Sequence, residues 1–123
     1  MNLNLKKESL RKVNETLQSI DRKSNKKIFK ISNPDGNHAI CAGLKDEIEV
    51  TIDGHTGYYC AGMNMNANIM VNGNVGTGVA ENMMSGTVHV KGNASHSAGA
   101  TAHGGTLIID GDKNIGSLGE VTA

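Results

Sequence analysis

The chain has 123 residues, enough for one domain with a modest core, and equal numbers of basic and acidic side chains. The charge divides unevenly: residues 1–30 carry nine Lys or Arg against three Asp or Glu, and residues 31–123 carry three against nine. A basic arm suits nucleic acid, but Phe29, Tyr58 and Tyr59 are the only Phe, Tyr or Trp rings, too few for stacking platforms, so a solvated or partner-facing arm is expected. No run approaches the ~20 apolar residues of a membrane span, and the N-terminus lacks an apolar leader. Two cysteines make no disulfide framework. The expectation is a cytoplasmic protein that binds neither membrane nor nucleic acid.

In chain order, Ser9 is positioned to cap a short helix with Leu10, Val13, Leu17 and Ile20 on one face. A polar linker, residues 21–27, follows, and Asn33-Pro34-Asp35-Gly36 signals a turn. Four β-branched runs then end in glycine at Gly54, Gly73, Gly92 and Gly111, a repeat of 19 residues. The register extends upstream, since His38 to Gly43 lie 19 residues before Gly57 to Gly62.

Read as columns, the repeat aligns Ile31, Val50, Ile69, Val88 and Leu107, and two places on, Asn33, Ile52, Val71, Val90 and Ile109. A third column is Cys41, Cys60, Val79, Ala98 and Ser117, and small residues stack at Ala42, Ala61, Ala80 and Gly99. Alternation along each run, with like stacked on like, describes a strand with one buried face. Nineteen residues are too few for a strand–helix–strand crossover but suit one coil of a parallel solenoid with glycine corners. An antiparallel sandwich is the bland alternative, and the equal intervals argue against it. The expected organisation is therefore a helix and basic linker over 1–28, about five parallel coils over 29–119, and a tail over 120–123. The helix should cap one end of the solenoid. An uncovered end is a template for association, so a partner subunit or a homo-oligomer is expected.

Site motifs fail one by one. Gly73-Asn74-Val75-Gly76-Thr77-Gly78 lacks the third glycine of a dinucleotide loop, with Glu81 in its place. Asp110-Gly111-Asp112-Lys113-Asn114 opens like a calcium loop, but Ile115 replaces the required glycine and Val121 the closing glutamate. His38, His55, His89, His96 and His103 share no column. Cys41 and Cys60 fall on adjacent coils and read as buried free thiols rather than a disulfide. Ser95-His96-Ser97 sets a hydroxyl beside an imidazole without a third group to orient it. No catalytic, cofactor or metal residue is assigned; an enzyme built around Tyr58, Tyr59 and His103 is the weakest of the readings.

Three runs closely resemble one family: Asp53-Gly54-His55-Thr56-Gly57-Tyr58-Tyr59-Cys60-Ala61-Gly62-Met63-Asn64, Gly78-Val79-Ala80-Glu81-Asn82-Met83-Met84-Ser85-Gly86 and Ser97-Ala98-Gly99-Ala100-Thr101-Ala102-His103-Gly104-Gly105. They are similar to the glycine-repeat (GXGXG) subunit of glutamate-synthase-like complexes, most like its branch in N-methylglutamate synthase (methylamine–glutamate N-methyltransferase). The resemblance implies a right-handed parallel β-helix that carries neither the glutaminase nucleophile nor the flavin and iron–sulfur sites. It implies a structural subunit bracing an amidotransferase-like chain and an FMN-binding synthase chain. Members of the family run on through more coils than the five counted here. Formylmethanofuran dehydrogenase uses a related β-helix subunit, and a free-standing β-helix scaffold is the reading from a different class.

Overall fold

The computed structural model describes residues 1–20 and 27–112, together with the backbone of 121–122. Seven strands form one sheet: β1 (Asn2–Asn4), β2 (Ile28–Ser32), β3 (Glu49–Asp53), β4 (Asn68–Asn72), β5 (Thr87–Val90), β6 (Thr106–Ile109) and β7 (Val121–Thr122), with helix α1 (Leu10–Gln18) between β1 and β2. Their order in the sheet is their order in the chain, and every pair is parallel. A chain can lay each strand beside the last, in the same direction, only by circling back once per strand. The molecule is therefore a parallel β-solenoid with a single sheet wall.

From β3 to β6 the pairing follows the 19-residue repeat: Val50 faces Ile69, Ile69 faces Val88, and Val88 faces Leu107. The first coil departs from it. Phe29 pairs with Val50 and Ile31 with Ile52, each 21 residues on, so Ile31 and Asn33 do not occupy the columns expected of them. Because two is the side-chain period of a strand, the shift keeps Phe29 and Ile31 inward, and both are fully buried.

The two extra residues enter separately. One widens the Asn33-Pro34-Asp35 corner, where Asn33 and Asp35 take φ of 55° and 45°. Beyond that corner the first coil is one residue out of register. The Ala61 N–H donates to Ile40 O at 2.9 Å, as Ala80 does to Cys60 O and Gly99 to Val79 O, each at 2.8 Å. So the inward column is Ile40, Cys60, Val79 and Ala98, not Cys41, Cys60, Val79 and Ala98. Cys41 takes the place given above to Ala42 and stacks with Ala61, Ala80 and Gly99. The second extra residue lies in the corner at 45–47, after which the 19-residue register holds. Ser117 lies outside the described residues.

At the N-terminal end, Leu3 is buried in β1, which pairs with β2, so the start of the arm over 1–28 belongs to the sheet. Helix α1 completes that layer. Ser9 caps it by accepting the Lys12 N–H at 3.1 Å, and Val13 and Leu17 are fully buried beneath it. Asn14 donates to Ala39 O and accepts the Cys41 N–H, each at 2.9 Å, while Gln18 donates to Ala42 O at 2.7 Å. Two amides at i and i+4 thus satisfy backbone groups that would otherwise await another coil. Residues 21–26 of the linker are outside the described residues. At the other end Val121–Thr122, read above as tail, pairs with Leu107 and Ile108.

Opposite the sheet each coil runs through a row of overlapping turns. Tyr59, Ala61 and Met63 have φ near +60°, and so do the matching residues of the other coils: Ala39, Cys41 and Gly43; Gly78, Ala80 and Asn82; Ser97, Gly99 and Thr101. Within each row the N–H three residues on bonds back, as Gly62 does to Tyr59 O at 3.2 Å. Between rows, Tyr59 donates to Thr77 O and Met63 to Glu81 O, both at 2.8 Å. This turn wall closes the solenoid.

Candidate functional site

Side-chain ladders run along the corners at the same 19-residue spacing. His55 Nδ1 accepts the Asn74 N–H at 2.9 Å, Asn74 Oδ1 the Asn93 N–H at 2.8 Å, and Asn93 Oδ1 the Asp112 N–H at 2.8 Å. Asn72 donates to Asp53 Oδ1 at 2.8 Å while Lys30 pairs with Asp53 Oδ2 at 3.0 Å. These contacts hold the Asp53 carboxyl below its usual range, the Asn72 hydrogen bond most and Lys30 next. Asn64 is fully buried yet satisfied, donating to Ala67 O at 2.8 Å and accepting the Ala67 N–H at 3.1 Å. It replaces Leu44 and Met83 in an otherwise apolar column.

The glycine cluster at 73–78 is part of this scaffolding. A Cβ on Gly73 would stand 2.4 Å from Gly54 O, and one on Gly92 would stand 2.5 Å from Gly73 O. The N–H groups of Val75, Gly76 and Gly78 already donate to Asn93, Thr56 and His96 carbonyls, so none is free to cradle a phosphate. In the calcium-like stretch, Asp110 pairs with His89 at 3.0 Å and the Asp112 N–H is spent on Asn93. Lys113, Asn114 and Ile115 of that stretch lie outside the described residues. Among the described residues no group of three or more His, Cys, Asp or Glu gathers at one point, and no helix is long and apolar enough to cross a membrane.

Cys41 and Cys60 are both free and buried. Burial pushes the Cys60 thiol up to about 12; the Thr56 hydroxyl draws it slightly back, although Thr56 Oγ1 makes no full hydrogen bond. Burial, and then the neighbouring Cys60, raise Cys41 well above the usual thiol range. Protonated and enclosed, neither is disposed to act as a nucleophile.

The two tyrosines and His103 do not converge. Tyr58 stacks on the His38 ring, with centroids 4.5 Å apart and 20° between planes, and its N–H donates to His38 Nδ1 at 2.7 Å. The Tyr59 ring covers Gly62, where a Cβ would meet Cε2 at 2.3 Å, and its hydroxyl lies 3.5 Å from Asn82 Nδ2. His103 falls instead in the column above Met65 and Met84. Ser97 belongs to the turn wall, and the His96 carbonyl accepts the Gly78 N–H at 3.0 Å. A shallow recess of about 630 Å³ beside β3 and β4 has Lys27, Glu47 and Glu49 in its lining.

The most distinctive surface is on the turn wall, where Tyr58 is 60% exposed, Met63 48%, Met65 43% and Met84 49%. Sequence reasoning missed these methionines because a methionine beside a glycine repeat reads as core. The signal that finds them is alternation, since Asn64 and Met83, next to Met65 and Met84, are the buried members.

In comparison with known proteins, the chain is similar to Protein GlxC of Rhizobium meliloti (strain 1021), with 44% identity over 50 residues, 41% of this chain and 22% of that protein. The chain thus spans less than a quarter of the relative it matches. No protein-family profile matches it, and no solved structure does.

Proposed function

We propose that this chain is a non-catalytic, structural subunit of a glutamate-synthase-type complex, of the kind that forms N-methylglutamate, and works in the cytoplasm. It braces an amidotransferase-like chain and an FMN-binding synthase chain, so flavin and any iron–sulfur cluster belong to a partner.

The observation that carries the reading is where the family-like runs fall. Residues 57–64, 78–86 and 97–105 are successive layers of the turn wall, and that wall exposes Tyr58, Met63 and Met84. Apolar side chains kept in solvent on a stiff, laddered wall suit protein contact more than chemistry. The likeness to part of GlxC fits a glutamate-synthase-related chain.

Purification of the tagged chain from its native host tests this. An amidotransferase-like chain and a flavin-bearing chain should co-elute in fixed ratio, with methylamine- and glutamate-dependent activity. The recombinant chain alone should be colourless and inactive. Stoichiometric flavin, or turnover, in the isolated chain would refute the proposal.

A further inference from the structure

Three successive coils present Met65, Met84 and His103 at equivalent places. The register is set by backbone hydrogen bonds from Met65 to Leu44 O at 2.9 Å, from Met84 to Asn64 O at 2.8 Å and from His103 to Met83 O at 2.8 Å. All three side chains are exposed, while the residues just before the two methionines are wholly buried. Gly104 lets its coil rest on the one below, because a Cβ there would stand 2.6 Å from Met84 O. Successive coils are ~4.8 Å apart, a distance that a methionine side chain with its three rotatable bonds spans easily. Beside the column, Ser85 donates to Asn66 Oδ1 at 3.2 Å and Asn66 to Lys45 O at 2.8 Å, which ties these coils together.

Two thioethers and an imidazole, with no carboxylate among them, form a soft donor set. Thioethers select copper(I), imidazole accepts copper readily, and hard cations prefer oxygen. We infer that Met65, Met84 and His103 bind a soft monovalent cation of the copper(I) or silver(I) kind on the outside of the turn wall. Sulfur from two coils and nitrogen from a third give trigonal ligation across the stack. The site shares Met84 with the contact surface proposed above, but its three donors come from this chain and need no partner chain.

Anaerobic titration of the full chain with copper(I), in competition with a colorimetric copper(I) chelator, tests it. One equivalent should bind per chain. The paired change Met65→Leu and Met84→Leu, and separately His103→Ala, should weaken binding by about tenfold or more. Met63→Leu, at the neighbouring exposed thioether outside the column, should leave affinity unchanged. Leucine keeps the shape of methionine, and unchanged circular dichroism shows that the variants fold. X-ray absorption of the loaded protein should report both sulfur and nitrogen donors. Full affinity in the double leucine variant, or no copper(I) held by the wild type against the chelator, would overturn the assignment.

Discussion

The sheet wall and the turn wall stack the same coils with different backbones. Along the sheet, β-branched side chains in extended backbone bury every second residue, and Val50, Val71, Val90 and Ile109 fill the interior at almost no exposure. Along the turn wall, the backbone takes left-handed φ at three places per coil, and only Gly43, Gly78 and Gly99 of those places are glycine. Such a conformation costs a non-glycine residue about 1–2 kcal/mol, so the ladder of bonds between coils must hold it there. Both walls bury an inward column and are hydrogen-bonded coil to coil; the turn wall carries backbone strain besides. Tyr58, Met63, Met65 and Met84 are exposed on the turn wall, while Ile28 is exposed at the start of β2. The glycines of the 19-residue repeat serve neither wall, but the corner between them.

Charge in the sheet wall should be the most damaging change. Val90→Asp puts an unpaired carboxylate at a fully buried position, at a cost of several kcal/mol, and should abolish soluble folded protein. Soluble yield and circular dichroism check this; a native-like spectrum would mean that the wall tolerates water.

Next comes the corner. Gly73→Ala drives a methyl group onto Gly54 O, a backbone atom with nowhere to go, and should lower stability by more than about 1 kcal/mol in urea titration. An unchanged midpoint would show that the coils can separate at the corner.

The turn wall should respond in the opposite sense. Met63→Gly relieves a left-handed residue at φ 57°, worth about 1–2 kcal/mol. Greater freedom of glycine in the unfolded chain takes back roughly 0.5–1 kcal/mol. A small net gain in melting temperature is expected, and a loss would mean that the wall is not strained there.

The smallest effect belongs to the ladder at Asp53. Its carboxyl is lowered in the folded state, so its contribution is fully present above the ordinary value near ~3.9 and is lost as pH falls through the depressed folded value. Asp53→Asn should therefore melt slightly below wild type at pH 6, with the gap closing toward pH 3. Solvent screening keeps the gap small, since the side chain is 37% exposed. A gap that widens in acid would remove Asp53 from the ladder.

Much of this molecule was determined by sequence alone. Glycines at 19-residue intervals, alternating β-branched runs and a capped amphipathic helix specify a parallel solenoid, because periodicity reports which side chains are buried. The departures of the glycine loop and the calcium-like run from their motifs, and the lack of a shared histidine column, are legible in residue type and spacing alone. Tertiary structure decided what local pattern cannot carry. The first coil holds two extra residues, which a strand of period two hides, so Ile31 stays buried while moving from Val50 to Ile52. Left-handed φ at Ala61 and Met63 has no signature in residue type, since bonds to the neighbouring coils hold it. The column of Met65, Met84 and His103 exists only because winding the chain brings residues 19 apart to one surface.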